Sequence, residues 1–205
     1  MAEVHDRQER LAAHSVRLPE GYVPVPQSHL GNARDRTHFQ MAAAYLKAIE
    51  AKTVLDVGCY DGWLDFLLIG EGYSVEGVEL IPDLARAARR YADRNFISYT
   101  VHEGYFADMD LDGAYDAVLC FETLEHMPLE EAKACAEKMS RLAKKGVIIS
   151  LPNQKHEDNR QHLWTPSKDV IEDIWGRKPG YSLSFVPYPE TNIPGNYFIS
   201  HDGGK

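Results

Sequence analysis

Three side chains in one short stretch invite chemistry first. Glu122, Glu125 and His126 stand at i, i+3 and i+4, a spacing that puts all three on one face of a single helical turn. Two carboxylates and an imidazole can hold a divalent cation such as Mg²⁺ or Mn²⁺. An ion so held binds a vicinal diol and lowers the pKa of a coordinated hydroxyl. Further on, SLPN is followed by HEDNRQHLWT, which offers His156 and His162 on a loop expected at the same sheet edge. The plainer alternative is that Glu125 and His126 cap the helix starting near Pro128, while His162 packs on Trp164. A second constellation is VLDVGCYDGWL (Val54–Leu64): a strand, a tight glycine turn and a helix start, which lets a ligand approach backbone amides at the strand ends. Glu79, in VEGVEL, ends the next strand, where a carboxylate can accept hydrogen bonds from both hydroxyls of a ribose.

Groups so scattered along the chain need a regular frame to meet. Strand candidates at Thr53–Val57, Tyr73–Val78, Phe96–Val101, Ala117–Phe121 and Val147–Leu151 alternate with helical windows at about 62–70, 82–94 and 128–144. Pro82 and Pro128 fall where a first-turn proline is tolerated. Continuous apolar strands separated by helices indicate a parallel sheet covered on both faces. The expected fold is therefore α/β: Rossmann-like, doubly wound, with a mostly parallel sheet. Residues 33–51 read as a helix capped by Asn32, and 19–32, with three prolines and two glycines, as a loop or lid. After Leu151 the pattern predicts a helix over Pro166–Trp175 capped by Thr165, then strands at Tyr181–Val186 and Tyr197–Ser200. The domain reading is an extension and lid over 1–33 and a single domain over 34–205. That domain has its core at 53–151 and substrate-side elements at 152–205.

Composition narrows the field. Hydrophobic residues at 44% and charged residues at 26% are the balance of a globular chain. A net charge of −9 disfavours nucleic acid, which needs a basic surface to release counterions. The basic clusters, Arg86, Arg89, Arg90 and Lys144, Lys145, read as solvated helix faces. No run approaches the ~20 apolar residues of a membrane span, and the start, MAEVHDRQER, is charged where a signal peptide would be apolar. Three cysteines without a CxxC suit a reducing compartment. The expectation is a cytoplasmic protein with a small polar or saccharide substrate and no membrane partner, with a homodimer left open.

Over roughly Thr53 to Leu151 the sequence resembles the class I S-adenosylmethionine-dependent methyltransferases. DVGCYDG is the glycine motif, Glu79 the ribose acid and YDAVLCFETLEHM the fourth-strand motif. The resemblance implies that Gly58 and Gly62 let the backbone pass close to the cofactor, that Asp56 orients its methionine amino group and that Glu79 holds its ribose. On this reading valine at Gly58 would block binding and spare the fold. Tyr105 and Phe106 fall where the family has its adenine contacts, and Phe121 is placed at the cofactor with them. Tyr60 stands where the usual pattern has glycine, so its side chain must point away from the cofactor or pack against it. His29 and His38 lie in the segment where this family often builds its substrate cover.

The run ExxEH…PN…HxW resembles the metal-dependent small-RNA 3′-end ribose 2′-O-methyltransferases. By that likeness His162 joins Glu122, Glu125 and His126 as the fourth metal ligand. Glu125, His126 and His162 then form the catalytic set, with His126 alternatively a general base. The LEH portion also recurs in quinone-ring and sugar O-methyltransferases. The implied function is metal-assisted O-methylation of a sugar, saccharide or polyol-like small molecule. The alternatives are an RNA 3′ end, a catechol or quinone precursor, and a catalytically silent subunit favoured by Tyr60 alone.

Overall fold

The computed structural model describes residues 18–153, 161–188 and 195–203. Its strands are β1 (Thr53–Val57), β2 (Ser74–Glu79), β3 (Thr100–Glu103), β4 (Tyr115–Phe121), β5 (Ala143–Pro152), β6 (Ser182–Pro187) and β7 (Gly195–Asp202). They form one sheet in the order β3-β2-β1-β4-β5-β7-β6. The first five pair in parallel, whereas β7 runs antiparallel to both β5 and β6. The helices are α1 (Pro26–His29), α2 (Ala33–Ala48), α3 (Trp63–Gly70), α4 (Pro82–Asn95), α5 (Leu129–Leu142) and α6 (Lys168–Trp175). This is the Rossmann-like, doubly wound architecture that alternating strands and helices predict.

The pleat sorts the core into two layers. Leu55, Val57, Val118 and Cys120 face α5 and α6, where they meet Cys135, Met139, Ile171 and Trp175. Val54, Leu119 and Ile148 face the other way, against Ala42 and Leu46 of α2 and Leu64 and Leu68 of α3. Asp56 shares the parity of Val54, so a carboxylate is delivered into the α3 layer. Strand order reverses between β1 and β4, so the chain leaves their carboxyl ends toward opposite faces and opens a crevice there.

Several expected boundaries move for local reasons. Phe96 is not in a strand: it ends α4 in the left-handed region at φ 55° and is 97% exposed. The third strand begins only at Thr100. The helix expected to reach 144 stops at Leu142, and Lys144 and Lys145 are exposed at the start of β5 rather than on a helix face. Ser167, not Thr165, caps α6, accepting from the Val170 N–H. The strand expected at Tyr197–Ser200 spans Gly195–Asp202 and lies inside the sheet, between β5 and β6. His5, His14 and His156, with the first part of the N-terminal extension, lie outside the described residues. No described helix is long and apolar enough to cross a membrane.

Asn32 caps α2 as expected, accepting from the N–H groups of Arg34 and Asp35. Replacing Asn32 with alanine should therefore lower stability by about 0.5–2 kcal/mol. Urea unfolding monitored by circular dichroism checks this, and an unchanged midpoint would count against the cap.

Candidate active site

The glycine turn is held to its neighbour strand by backbone bonds from Gly58 N and Cys59 N to Val78 O, at 2.8 and 3.0 Å. That places the Glu79 carboxylate beside the turn. Tyr60 N donates to Glu79 Oε2 at 2.9 Å and Ile81 N to Oε1 at 2.7 Å. Burial pushes Glu79 up to about 7 although these donors favour its charged form. Tyr60 itself sits at φ 57°, a conformation glycine adopts without strain, and its ring is 42% exposed.

The two glycines do different work from that expected. Gly58 has φ 83°, and a Cβ there would run into the side chain of Thr123. Its bareness is therefore a packing requirement as well as a route for a ligand, which corrects the view that valine would spare the fold. Gly62 precedes α3 at φ 80°, where a Cβ would approach Phe66 Cε2 at 2.9 Å. It serves the helix start and does not line the cavity.

A cavity of about 300 Å³ opens at the crevice, the lower end of the range for ligand sites. β1, the glycine turn and α3 contribute Asp56, Gly58, Tyr60 and Trp63 to its lining, and α2 and the end of β4 contribute Arg34, Asp35, His38, Phe121 and Glu122. Tyr105 and Phe106 are elsewhere: Tyr105 donates to Glu131, and Phe106 is buried beneath the Lys138 ammonium, 4.6 Å from its ring centroid. The segment before α2 crosses the turn. Tyr22 donates to Asp61 Oδ2 at 2.5 Å, Arg90 reaches the Tyr22 carbonyl at 3.3 Å, and His29 stacks on Trp63 with centroids 4.6 Å apart.

On the far side, His38 is buried and stacks on Phe121 at 5.0 Å. Its Nε2 lies 3.0 Å from Ser150 Oγ and 3.1 Å from Asn196 Nδ2. Desolvation lowers its pKa to about 3, so the ring is neutral. The Asn196 amide also donates to Glu122, and Arg34 Nη1 stands 3.8 Å from Glu122 Oε2. Arg34, Asp35 and Asn196 escaped the sequence reading. Arg34 and His38, four residues apart on α2, share a helical face that spacing could have revealed. Asn196 arrives only through the pairing of β7 with β5.

The ExxEH set divides. Glu122 has left-handed backbone, φ 51°, and precedes a 3₁₀ turn over Leu124–His126; it lines the cavity, near enough for its charge to act on Glu125 but outside the tight group of ligand atoms. Glu125, His126 and His162 remain together, each offering an atom within 4.8 Å of the others. Trp164 fastens this turn by donating from Nε1 to the carbonyls of Leu124 and Met127 at 3.2 and 3.1 Å. No side chain caps α5, which removes the helix-cap reading of Glu125 and His126. Glu125 is fully buried, and neither carboxylate oxygen has a hydrogen-bond partner among the described residues. Burial, then the charge of Glu122, holds its pKa well above the usual carboxylate range.

Residues 54–146 match the family model described as a methyltransferase domain. Over these residues the chain carries a methyltransferase domain. Over 93 aligned residues it is 34% identical to a ubiquinone biosynthesis O-methyltransferase of Xanthomonas campestris pv. campestris (strain B100), covering 43% of this chain and 39% of that one. The chain spans less than half the length of the curated relatives it matches. The methyltransferase domain also superposes on magnesium protoporphyrin IX methyltransferase from Synechocystis PCC 6803 with bound SAH, at TM-score 0.65 and 21% identity, covering 98% and 95% of the two chains. An amino pentose methyltransferase from Micromonospora echinaspora gives TM-score 0.64 at 16% identity, covering 92% and 100%. At these identities the structures show the shared fold of the methyltransferase domain.

Gly58→Ala should destabilise this domain by roughly 1–3 kcal/mol, from overpacking against Thr123. The double change with Thr123→Gly should recover part of that loss. Denaturation midpoints of the three variants test it, and a fully stable Gly58→Ala would show that the turn can yield.

Proposed function

We propose that this chain is an S-adenosylmethionine-dependent O-methyltransferase acting on a hydroxyl of a small polar molecule, foremost a sugar or polyol-like compound. The observation that carries the reading is the Glu79 carboxylate, fixed by two backbone N–H groups beside the glycine turn. It keeps lone pairs for a ribose diol. Asp56 would then meet the cofactor's ammonium, and Arg34, the one guanidinium among the residues lining the cavity, its carboxylate.

Methyl transfer is an in-line displacement. The acceptor oxygen bonds to the methyl carbon as the carbon–sulfur bond breaks, S-adenosylhomocysteine leaves, and the hydroxyl proton passes to a base. Glu122 suits that last role: it lines the same cavity as Asp56, Asn196 orients it, and burial lifts it to about 7. Glu125, His126 and His162 are the residues that would hold Mg²⁺ or Mn²⁺, because a buried carboxylate lacking donors beside two imidazoles fits such an ion. When bound, the ion would supply charge that acidifies a nearby hydroxyl. A hydroxyl acceptor agrees with the name of the Xanthomonas relative, and a sugar with that of the Micromonospora structure. The net charge of −9 argues for a small molecule over RNA.

Glu79→Ala should weaken S-adenosylmethionine binding by roughly 1–3 kcal/mol. Unchanged calorimetric affinity in the folded variant would overturn the cofactor assignment. Glu122 works as a base only when deprotonated, so turnover should rise with pH through about 7 and then level. Glu122→Gln should lower turnover about 10²–10⁴-fold with cofactor affinity kept. A labelled-methyl assay across sugars, catechols and short RNAs, with and without chelator, reads all of this. Full activity of Glu122→Gln would dismiss the base, and full activity in excess chelator the ion.

A further inference from the structure

Beneath the glycine turn two carboxyl groups meet with no cation between them. Asp56 on β1 and Asp65 on α3 are 3% and 0% exposed; Asp56 pairs in register with Gly77 on β2, and a Cβ at Gly77 would lie 3.0 Å from Asp65 Oδ2, which sets the two carboxyl groups side by side. The Tyr99 hydroxyl donates to Asp65 Oδ2 at 2.5 Å and lies 3.4 Å from Cys59 Sγ. Gly77 on β2 leaves the space they fill, since a Cβ there would strike Tyr99, Cys59 and Asp65. Asp65 Oδ1 is buried with no donor among the described residues.

Among the described residues, the titratable groups bearing on the pair are Cys59 and Asp61 in the turn, Glu79 at the end of β2 and Cys120 on β4, none of them a cation. Arg34, His29 and His38 line the cavity that Asp56 borders. Two carboxyl groups so placed cannot both ionise in a low dielectric, and they titrate as one unit. Burial holds Asp56 up to about 6 and Asp65 well above the usual carboxylate range. Asp56 lines the cavity, whereas Asp65 lies behind it, hidden from any ligand.

We propose that Asp56 and Asp65 share one proton while the cofactor site is open, and that the cofactor's ammonium expels that proton to solvent, making Asp65 a positioning residue that couples cofactor capture to pH. This rests on the placement of the ammonium at Asp56 given above. The sign follows from the charge. Below the pair's titration the site is half neutral and receives a cation poorly. Above it, the site carries the full negative charge the ammonium needs. Where the free pair holds the proton and the complex does not, each unit rise in pH tightens binding by up to about tenfold.

The test is calorimetry of S-adenosylhomocysteine and of 5′-methylthioadenosine, which lacks the ammonium, in buffers of different ionisation enthalpy between pH 6 and about 8. Because both ligands carry the ribose, any proton exchanged by Glu79 is common to them. S-adenosylhomocysteine should release up to one proton more than methylthioadenosine, and its affinity should gain up to about tenfold more between pH 6 and 7. Asp65→Asn keeps a donor to Asp56 but cannot give up a proton, so the difference between the ligands should vanish. Tyr99→Phe removes the donor that helps Asp65 ionise and should move the release to higher pH. Equal proton counts for the two ligands, or a difference that survives Asp65→Asn, would overturn the inference. Should neither ligand bind, the cofactor reading itself falls, and the inference with it.

Discussion

The adjacency of β1 and β4 is the constraint on which the site depends. Their parallel pairing, Val54 to Ala117 through Asp56 to Leu119, brings two distant stretches of sequence side by side. Because the following segments depart to opposite faces of the sheet, nothing fills the space beyond the carboxyl ends. The glycine turn and Glu122 border the same opening for that reason alone. Each further component is attached to this gap from outside: α2 supplies Arg34 and His38, β2 supplies Glu79, and the antiparallel β7 supplies Asn196.

The turn, the strand ends and the first residues of α3 and of the β4 exit gather acids in a poor medium for charge. Asp56, Asp61, Asp65, Glu79 and Glu125 are all buried, and desolvation raises every one of them. A carboxyl whose folded pKa lies above its unfolded value stabilises the fold at low pH, and that contribution is lost as pH rises through the folded value. Such a gathering of carboxyl groups is thus a source of electrostatic tension at neutral pH. The proposed cofactor, with its sulfonium and ammonium, would offset part of that tension at Asp56.

Much of the frame could be read from the chain, because strands and helices announce themselves through period and through their caps. β1 occupies Thr53–Val57 as its β-branched run suggests, and Asn32 caps α2. Phe96 misled because an aromatic after a helix reads as strand propensity, whereas its left-handed backbone is set by the helix end it closes. Glu79 and the glycine turn were readable since their separation in sequence reflects one strand–helix–strand unit. The grouping of Glu122 with Glu125 was not, because spacing alone assumes a regular turn and Glu122 has left-handed backbone. Asn196 and the Asp56–Asp65 contact depend on sheet order and helix docking, which no local pattern encodes.

Of the four non-glycine residues with positive φ among the described residues, Tyr60 and Glu122 both border the cavity. Such conformations cost about 1–3 kcal/mol each, and glycine would adopt them freely. Selection for a sturdier fold alone would therefore drift both positions toward glycine, the residue the wider family favours at position 60. A bulky ring and a carboxylate in such conformations point to a demand other than folding. Lineages of this enzyme that exchanged Tyr60 for glycine would trade a feature of the cavity mouth for robustness, and their acceptor range would be the place where the trade becomes visible.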